Sequence, residues 1–325
     1  MTNKNSFIRS GEFLSAACFA SALLSCGGNS NPNSPEETGA KLPPFFIGNH
    51  ARTNFIRDDF ALYWNQLTPE TEGFWGSVEN IRSQYNWHNL DTLYSFANQY
   101  SLTIKAHTLI SSDMAPPWLG NLSPSLLAEE VESWIHDYCA RYPNTPLINV
   151  VYNAMPGHYS TGVFAKGLGP DWVVQSFKWA REYCPNSVLI LEDYSLLTTD
   201  TDQFIEWATP IITSGFVDAI GAQAHQLEEV STQTIAANLD KLASLGLPIY
   251  ISEWDISEED DARQLAIMQQ QLPLFYHHPA VAGITYWGYI AKHQFTANVN
   301  LLHEDNSPRP AMIWLQNYVE ENPRN

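Results

Sequence analysis

The chain is short of positive charge: 16 lysines and arginines stand against 35 aspartates and glutamates, a formal net charge of -19 over 325 residues. So sparse a cationic surface cannot neutralise a run of phosphates, which sets nucleic acid aside as a partner. Cysteine is scarce as well, with four in all and no close spacing that would make a zinc finger or ribbon. No G-x-G-x-x-G turn is present to bind a dinucleotide. No H-x-H or H-E-x-x-H pair is present either. His50, His107 and His225 fall on different predicted strands, and with Glu253 they would form a metal site only without the short spacing such sites usually show. We expect no cofactor and no metal. The apolar run at residues 13–24 is too short to span a bilayer.

Aromatic residues, by contrast, are plentiful, with 11 tryptophans and 15 tyrosines. Most large rings fill cores, but a surplus also suits platforms that stack on sugar rings. A hydrophobic share of 44% over this length can bury the core of one large α/β barrel or of two ordinary domains, and one barrel is the simpler reading.

The N-terminus reads as an export signal. Lys4 and Arg9 precede the apolar run, small residues follow it, and Glu12 is the one blemish. The run ends "ALLSC", which resembles the bacterial lipobox and implies cleavage before Cys26 with acylation of its thiol. Residues 1–26 are therefore expected to be a lipoprotein-type signal, and an exported lipoprotein at the outer membrane or cell surface follows. Residues 27–42, rich in Gly, Asn, Ser and Pro, have little to bury and read as a flexible linker. Cys139 and Cys184 each end a predicted helix, and their pairing stays open because sequence does not give their separation.

From residue 43 onward apolar runs alternate with amphipathic ones. "FFIGNHA", "YWNQLTPE", "LTIKAHTLI", "PLINVVYNA", "SVLILEDYS", "VDAIGAQAH", "PIYISEWDI" and "GITYWGYI" read as strands. Stretches such as "SLLAEEVESWIHDYCARY" and "DWVVQSFKWAREY" read as helices between them, with apolar residues every three or four positions. Eight near-continuous apolar strands, each followed by a helix or long loop, predict a single-domain (β/α)₈ barrel over residues 43–325. Glu70, His107, Asn153, Asp193, His225 and Glu253 then sit at the C-terminal strand ends, the rim where barrel enzymes place their chemistry. Taken singly, Asp193 or Asp255 fits a helix-capping role equally well.

"LTPETEGFWGSVE", "SVLILEDYS", "DAIGAQAHQ", "PIYISEWDI", "ITYWGYI" and "LLHEDNSPRPAMIWL" follow one another in the order and spacing of family 10 glycoside hydrolases, mostly endo-β-1,4-xylanases, and the chain resembles that family over about residues 43 to 323. The resemblance implies a retaining pair of glutamates about 5 Å apart, one an acid/base and the other a nucleophile. Glu253 matches the nucleophile, His225 the histidine that orients it, Gln223 the glutamine before that histidine, and Asp255 an acid that holds the local hydrogen bonds. Trp287 resembles a wall of the cleavage subsite, Phe295 the second aromatic of that wall, His107 a sugar-contacting histidine, and Glu70 a sugar-binding glutamate one subsite further out. A xylan-like polysaccharide is the implied partner. We expect a monomer.

The resemblance breaks at "VVYNA". The family pattern there is V-V-N-E-A, so Tyr152 stands where the family has a substrate-binding Asn and Asn153 stands where it has the acid/base Glu. An amide does not titrate near neutrality and cannot protonate a departing oxygen. Thr71, Phe74 and Ser111 also replace sugar-gripping family residues. Two outcomes are open: a disarmed barrel that binds polysaccharide, with xylanase hydrolysis much reduced or lost, or an active glycosidase with a relocated acid or an altered substrate. Asp113, Glu192, Asp193 and His158 are the residues placed to supply such an acid.

Overall fold

The computed structural model describes residues 40–158, 162–292 and 296–324. The expected signal, Cys26 and nearly all of the linker lie outside the described residues, as does Phe295.

The described residues form nine strands: β1 (Ile47–Ala51), β2 (Gln66–Pro69), β3 (Thr103–Ala106), β4 (Ile110–Ser111), β5 (Leu147–Tyr152), β6 (Val188–Asp193), β7 (Ala219–Ala224), β8 (Ile249–Trp254) and β9 (Val281–Tyr286). Every pairing between them is parallel. β1 bonds both β2 and β9, and β3 bonds β5, so eight strands close on themselves while the two residues of β4 extend the edge of β5. This is the (β/α)₈ barrel that the alternation of runs predicts. The strands are apolar almost throughout because the barrel interior covers one face and the helices cover the other.

Among the described residues ten α-helices accompany the strands: α1 (Phe60–Tyr63), α2 (Trp75–Val78), α3 (His88–Gln99), α4 (Pro124–Arg141), α5 (Val163–Leu168), α6 (Trp172–Tyr183), α7 (Thr201–Thr213), α8 (Thr232–Ala243), α9 (Asp261–His277) and α10 (Pro310–Glu321). Local chemistry marks several starts. Ser123 and Ser231 accept from the backbone N–H groups of Leu126 and Thr234, and Pro124 occupies the first helical position of α4, where its missing N–H costs nothing. α4 turns Leu127, Val131, Trp134, Ile135 and Tyr138 inward, the spacing of a single helix face. Trp134 lies between Trp75 and Trp87, with ring centroids 5.6 and 5.5 Å away, and its indole donates to the carbonyl of Leu109. Much of the aromatic surplus is spent in this way on packing helices to the barrel. Cys139, near the end of α4, and Cys184, just after α6, form a disulfide with Cα atoms 5.4 Å apart.

Two of the apolar runs are interrupted by other structure. Tyr63 closes α1, so the second run becomes strand only at Gln66. The third run breaks after Ala106: Leu109 N and Thr108 Oγ1 both donate to the carbonyl of Asn149, which draws this segment over β5 before β4 resumes the pairing.

Candidate active site

The C-terminal rim of the barrel gathers the predicted site residues. Glu253 lies in β8 and is buried. His225, just past β7, approaches Glu253 Oε2 with Nε2 at 3.0 Å and Asp255 Oδ2 with Nδ1 at 2.8 Å. Burial lowers His225, but the hydrogen bonds to Asp255 and Glu253 outweigh it and raise this imidazole to about 10, so it is a cation that donates from both nitrogens. Burial pushes Glu253 up, and the His225 hydrogen bond with the surrounding positive charge overcomes it and holds the carboxylate down to about 2. His107 Nε2 lies 3.8 Å from Glu253 Oε1. Burial drives His107 down to about 4, so at neutral pH it is uncharged and His225 is the cation that balances Glu253.

Below this pair is a second buried carboxyl, Glu192 of β6. Asn149 Nδ2 donates to its Oε2 at 2.5 Å, and Gln223 Nε2 is 3.5 Å from its Oε1. Burial, opposed by Lys105 and reinforced by the charge of Glu253, raises Glu192 to about 8, so it holds its proton at neutral pH. Glu253 Oε1 has no hydrogen-bond partner among the described residues, and Glu192, hydrogen-bonded to Glu253, carries the proton that such a bond needs. The site therefore has two neighbouring carboxyls in opposite states. One imidazole nitrogen of His107 and one oxygen from each of Glu192 and Glu253 lie within 4.8 Å of one another. Lys105, buried in the barrel, donates to the carbonyl of Ser252; burial lowers it, opposed by the nearby Glu192 and Glu253.

Asn153 follows β5 directly, with a φ of 53° that Asn tolerates better than most residues. Its backbone N–H donates to the carbonyl of Glu192, which fixes where its side chain stands. Gln223 Nε2 donates to Asn153 Oδ1 at 3.0 Å, and Asn153 Nδ2 donates to Asp113 Oδ2 at 3.4 Å. The predicted acid position thus holds an amide bound on both sides. Asp193 accepts from Met155 N and Tyr194 N and binds His158 Nδ1 at 2.5 Å, while His158 Nε2 lies 3.3 Å from Asp200. These two form a brace for the loop after β5.

On the other side, aromatic rings pack closely. Tyr152 meets His107 edge to face at 4.7 Å and Phe74 at 6.0 Å, and Phe74 meets His107 at 5.1 Å. Trp287 stacks on His50 at 4.7 Å and is 6% exposed. Burial raises Glu70, but the close approach of His50 Nδ1 at 2.8 Å and a two-point hydrogen bond from Arg52 reverse this and keep it ionised. Arg52 holds Glu70 where the resemblance assigns a sugar hydroxyl.

The model of glycosyl hydrolase family 10 matches residues 43–319. The chain belongs to glycosyl hydrolase family 10. Over 278 residues it is 44% identical to endo-1,4-beta-xylanase B of Cellvibrio japonicus, an alignment covering 85% of this chain but 46% of that protein. Endo-1,4-beta-xylanase 3 of Hypocrea jecorina is 30% identical over 76% of this chain and 73% of its own length. Xylanase 10B from Thermotoga petrophila, solved with xylobiose, superposes with a TM-score of 0.78 at 26% identity, covering 90% of this chain and 99% of that one. This family 10 chain thus spans less than half the length of the Cellvibrio protein.

The structure brings together Glu253, His225, Asp255, Gln223, Asn153, His107 and Tyr152, and sets Trp287 and Glu70 along the same rim. Sequence reasoning missed Lys105, Asn149 and Arg52. The first two had a signal, since a lysine or asparagine inside an apolar strand must face a polar partner in the barrel. Arg52 had none, because its partner Glu70 is 18 residues away, just past β2.

Proposed function

We propose that this chain is a family 10 xylanase-like surface lipoprotein that engages a β-linked, xylan-type polysaccharide, and that its ordinary retaining endo-xylanase hydrolysis is much reduced. The observation that carries the reading is the Asn153 amide, seated against Gln223 beside an ionised, His225-bound Glu253. Glu253 in this state is fit to attack an anomeric carbon, while Asn153 has no proton to give to the departing oxygen. Glu192 carries a proton but is fully buried and bonded to Asn149, away from any substrate oxygen. Loss of general acid/base assistance costs about 10²- to 10⁴-fold in rate, whereas binding is unaffected by it.

The ligand class is supported by the relatives, named as endo-1,4-beta-xylanases, and by solved neighbours holding xylobiose and xylotetraose. Phe74 brings no polar group and Arg52 already occupies the acceptor oxygens of Glu70, so xylotriose should bind weakly on the side lined by Thr71, Phe74 and Ser111. Export with a lipid on Cys26 is supported by the N-terminal pattern, and the Cys139–Cys184 disulfide suits an oxidising compartment. We propose a monomer of one barrel after residues 1–26 are removed.

The test is turnover by protein lacking those residues. An activated aryl β-xyloside needs no acid, so wild type should form the glycosyl-enzyme on Glu253, with azide speeding its release. Asn153→Glu should gain xylan hydrolysis by at least about 10²-fold. Xylan turnover by wild type that Asn153→Glu does not improve would sink the proposal.

A further inference from the structure

Resting on the reading that Asn153 has disarmed the family's acid position, we propose that Asp113 is a catalytic residue, the proton donor for the slow hydrolysis that this site still performs. β4 pairs Ser111 with Tyr152, so the loop after β4 runs beside the end of β5. Asp113 lies two residues beyond Ser111 and Asn153 one residue beyond Tyr152, and the Asp113 N–H donates to Ser111 Oγ at 3.2 Å, which fixes the turn. The carboxyl meets Asn153 Nδ2 at 3.4 Å. Asp113 thus meets the residue at the family's acid position, Asn153, which in turn binds Gln223, the register partner of Glu253 on the next strand.

The other acids nearby are committed. Glu192 is sealed in the barrel, Asp193 braces the loop through Met155 and His158, and Asp255 binds His225. Asp113 is exposed, so its carboxyl meets solvent and incoming sugar alike. The chemistry balances. Glu253 bonds to the anomeric carbon as the bond to the leaving oxygen breaks, and that oxygen takes the Asp113 proton. In the second half a water oxygen bonds to the anomeric carbon, its proton passes to the Asp113 carboxylate, and Glu253 departs as a carboxylate. The Asn153 amide, donating to Asp113, is placed to orient it.

The experiment compares wild type, Asp113→Asn, Asp113→Ala and Asn153→Glu/Asp113→Asn on aryl β-xylosides of graded leaving-group acidity and on xylotetraose. On xylotetraose and poor leaving groups both single variants should fall at least about 10-fold below wild type. With a dinitrophenyl leaving group, formation of the glycosyl-enzyme should stay within about twofold, and azide should restore its turnover in Asp113→Ala. The double variant should recover hydrolysis, showing a sound cleft. Equal rates for Asp113→Ala and wild type on poor leaving groups overturn the role of Asp113. Wild type inert on every unactivated substrate overturns it too, while leaving the disarmed-site reading intact. Wild type faster on xylotetraose than Asn153→Glu would sink that reading instead.

Discussion

Glutamine at position 192 should make stability rise more steeply with pH than in wild type between about pH 5 and 6.5. Burial raises Glu192 from 4.5 to about 8, so the folded protein keeps a proton that the unfolded chain surrenders across that interval. Folding takes up a proton there, and the stability this group contributes falls as pH rises, levelling off once both states are ionised above about 8. At about 1.4 kcal/mol per pH unit, the climb from pH 5 to 6.5 alone removes about 2 kcal/mol. His107, lowered from 6.5 to about 4, opposes this trend within the same window but is common to both proteins, and two other neighbours titrate outside it. Glu253, held to about 2, contributes stability that is complete above 4.5 and lost as pH falls toward 2. His225, raised from 6.5 to about 10, contributes stability that is complete below 6.5 and lost as pH rises through 10. Glutamine matches the shape of a protonated glutamate and can still donate to Glu253, so the fold should tolerate it. Urea unfolding of wild type and Glu192→Gln at both ends of the window reads the difference directly, since other groups cancel between the two proteins. Parallel stability curves would show that Glu192 is already ionised at pH 5 and that the two-state carboxyl pair is wrong.

His225→Ala removes the hydrogen bond to Glu253 but leaves its burial, so the acid limb of aryl-xyloside glycosylation should move up by about one to three pH units; an unmoved limb contradicts the assignment. Gly221→Ala places a methyl group 2.8 Å from Cβ and Cγ of Glu192, which must shift, and thermal unfolding should report a loss of about 1–3 kcal/mol. Cys139→Ser/Cys184→Ser opens a loop of 45 residues and should cost roughly 4 kcal/mol in urea unfolding. A reductant should destabilise wild type and leave that double variant unchanged.

The barrel was legible because its strands are covered on both faces, which leaves apolar runs separated by helical periodicity. The ends of those strands were less so: Tyr63 sits in an apolar run yet closes α1, and the third run yields to the Asn149 carbonyl, a partner more than forty residues on. The rim residues could be named in advance because each occupies the C-terminal end of a strand, and closing the barrel brings such ends together. Disulfide pairing could not be, since it depends on how two helices lie against each other.

By itself, the sequence determined the alternation that makes a barrel, the family to which it belongs, and the fact that residue 153 is an amide. None of these needs a through-space neighbour. The tertiary structure decided which carboxyl is charged. Glu192 in "ILEDY" and Glu253 in "ISEWD" are both glutamates in buried strands, indistinguishable by local pattern. Folding sets Glu253 against the imidazolium of His225 and Glu192 against the neutral amide of Asn149. In a medium with little water to screen them, those partners separate one carboxyl at about 2 from another at about 8.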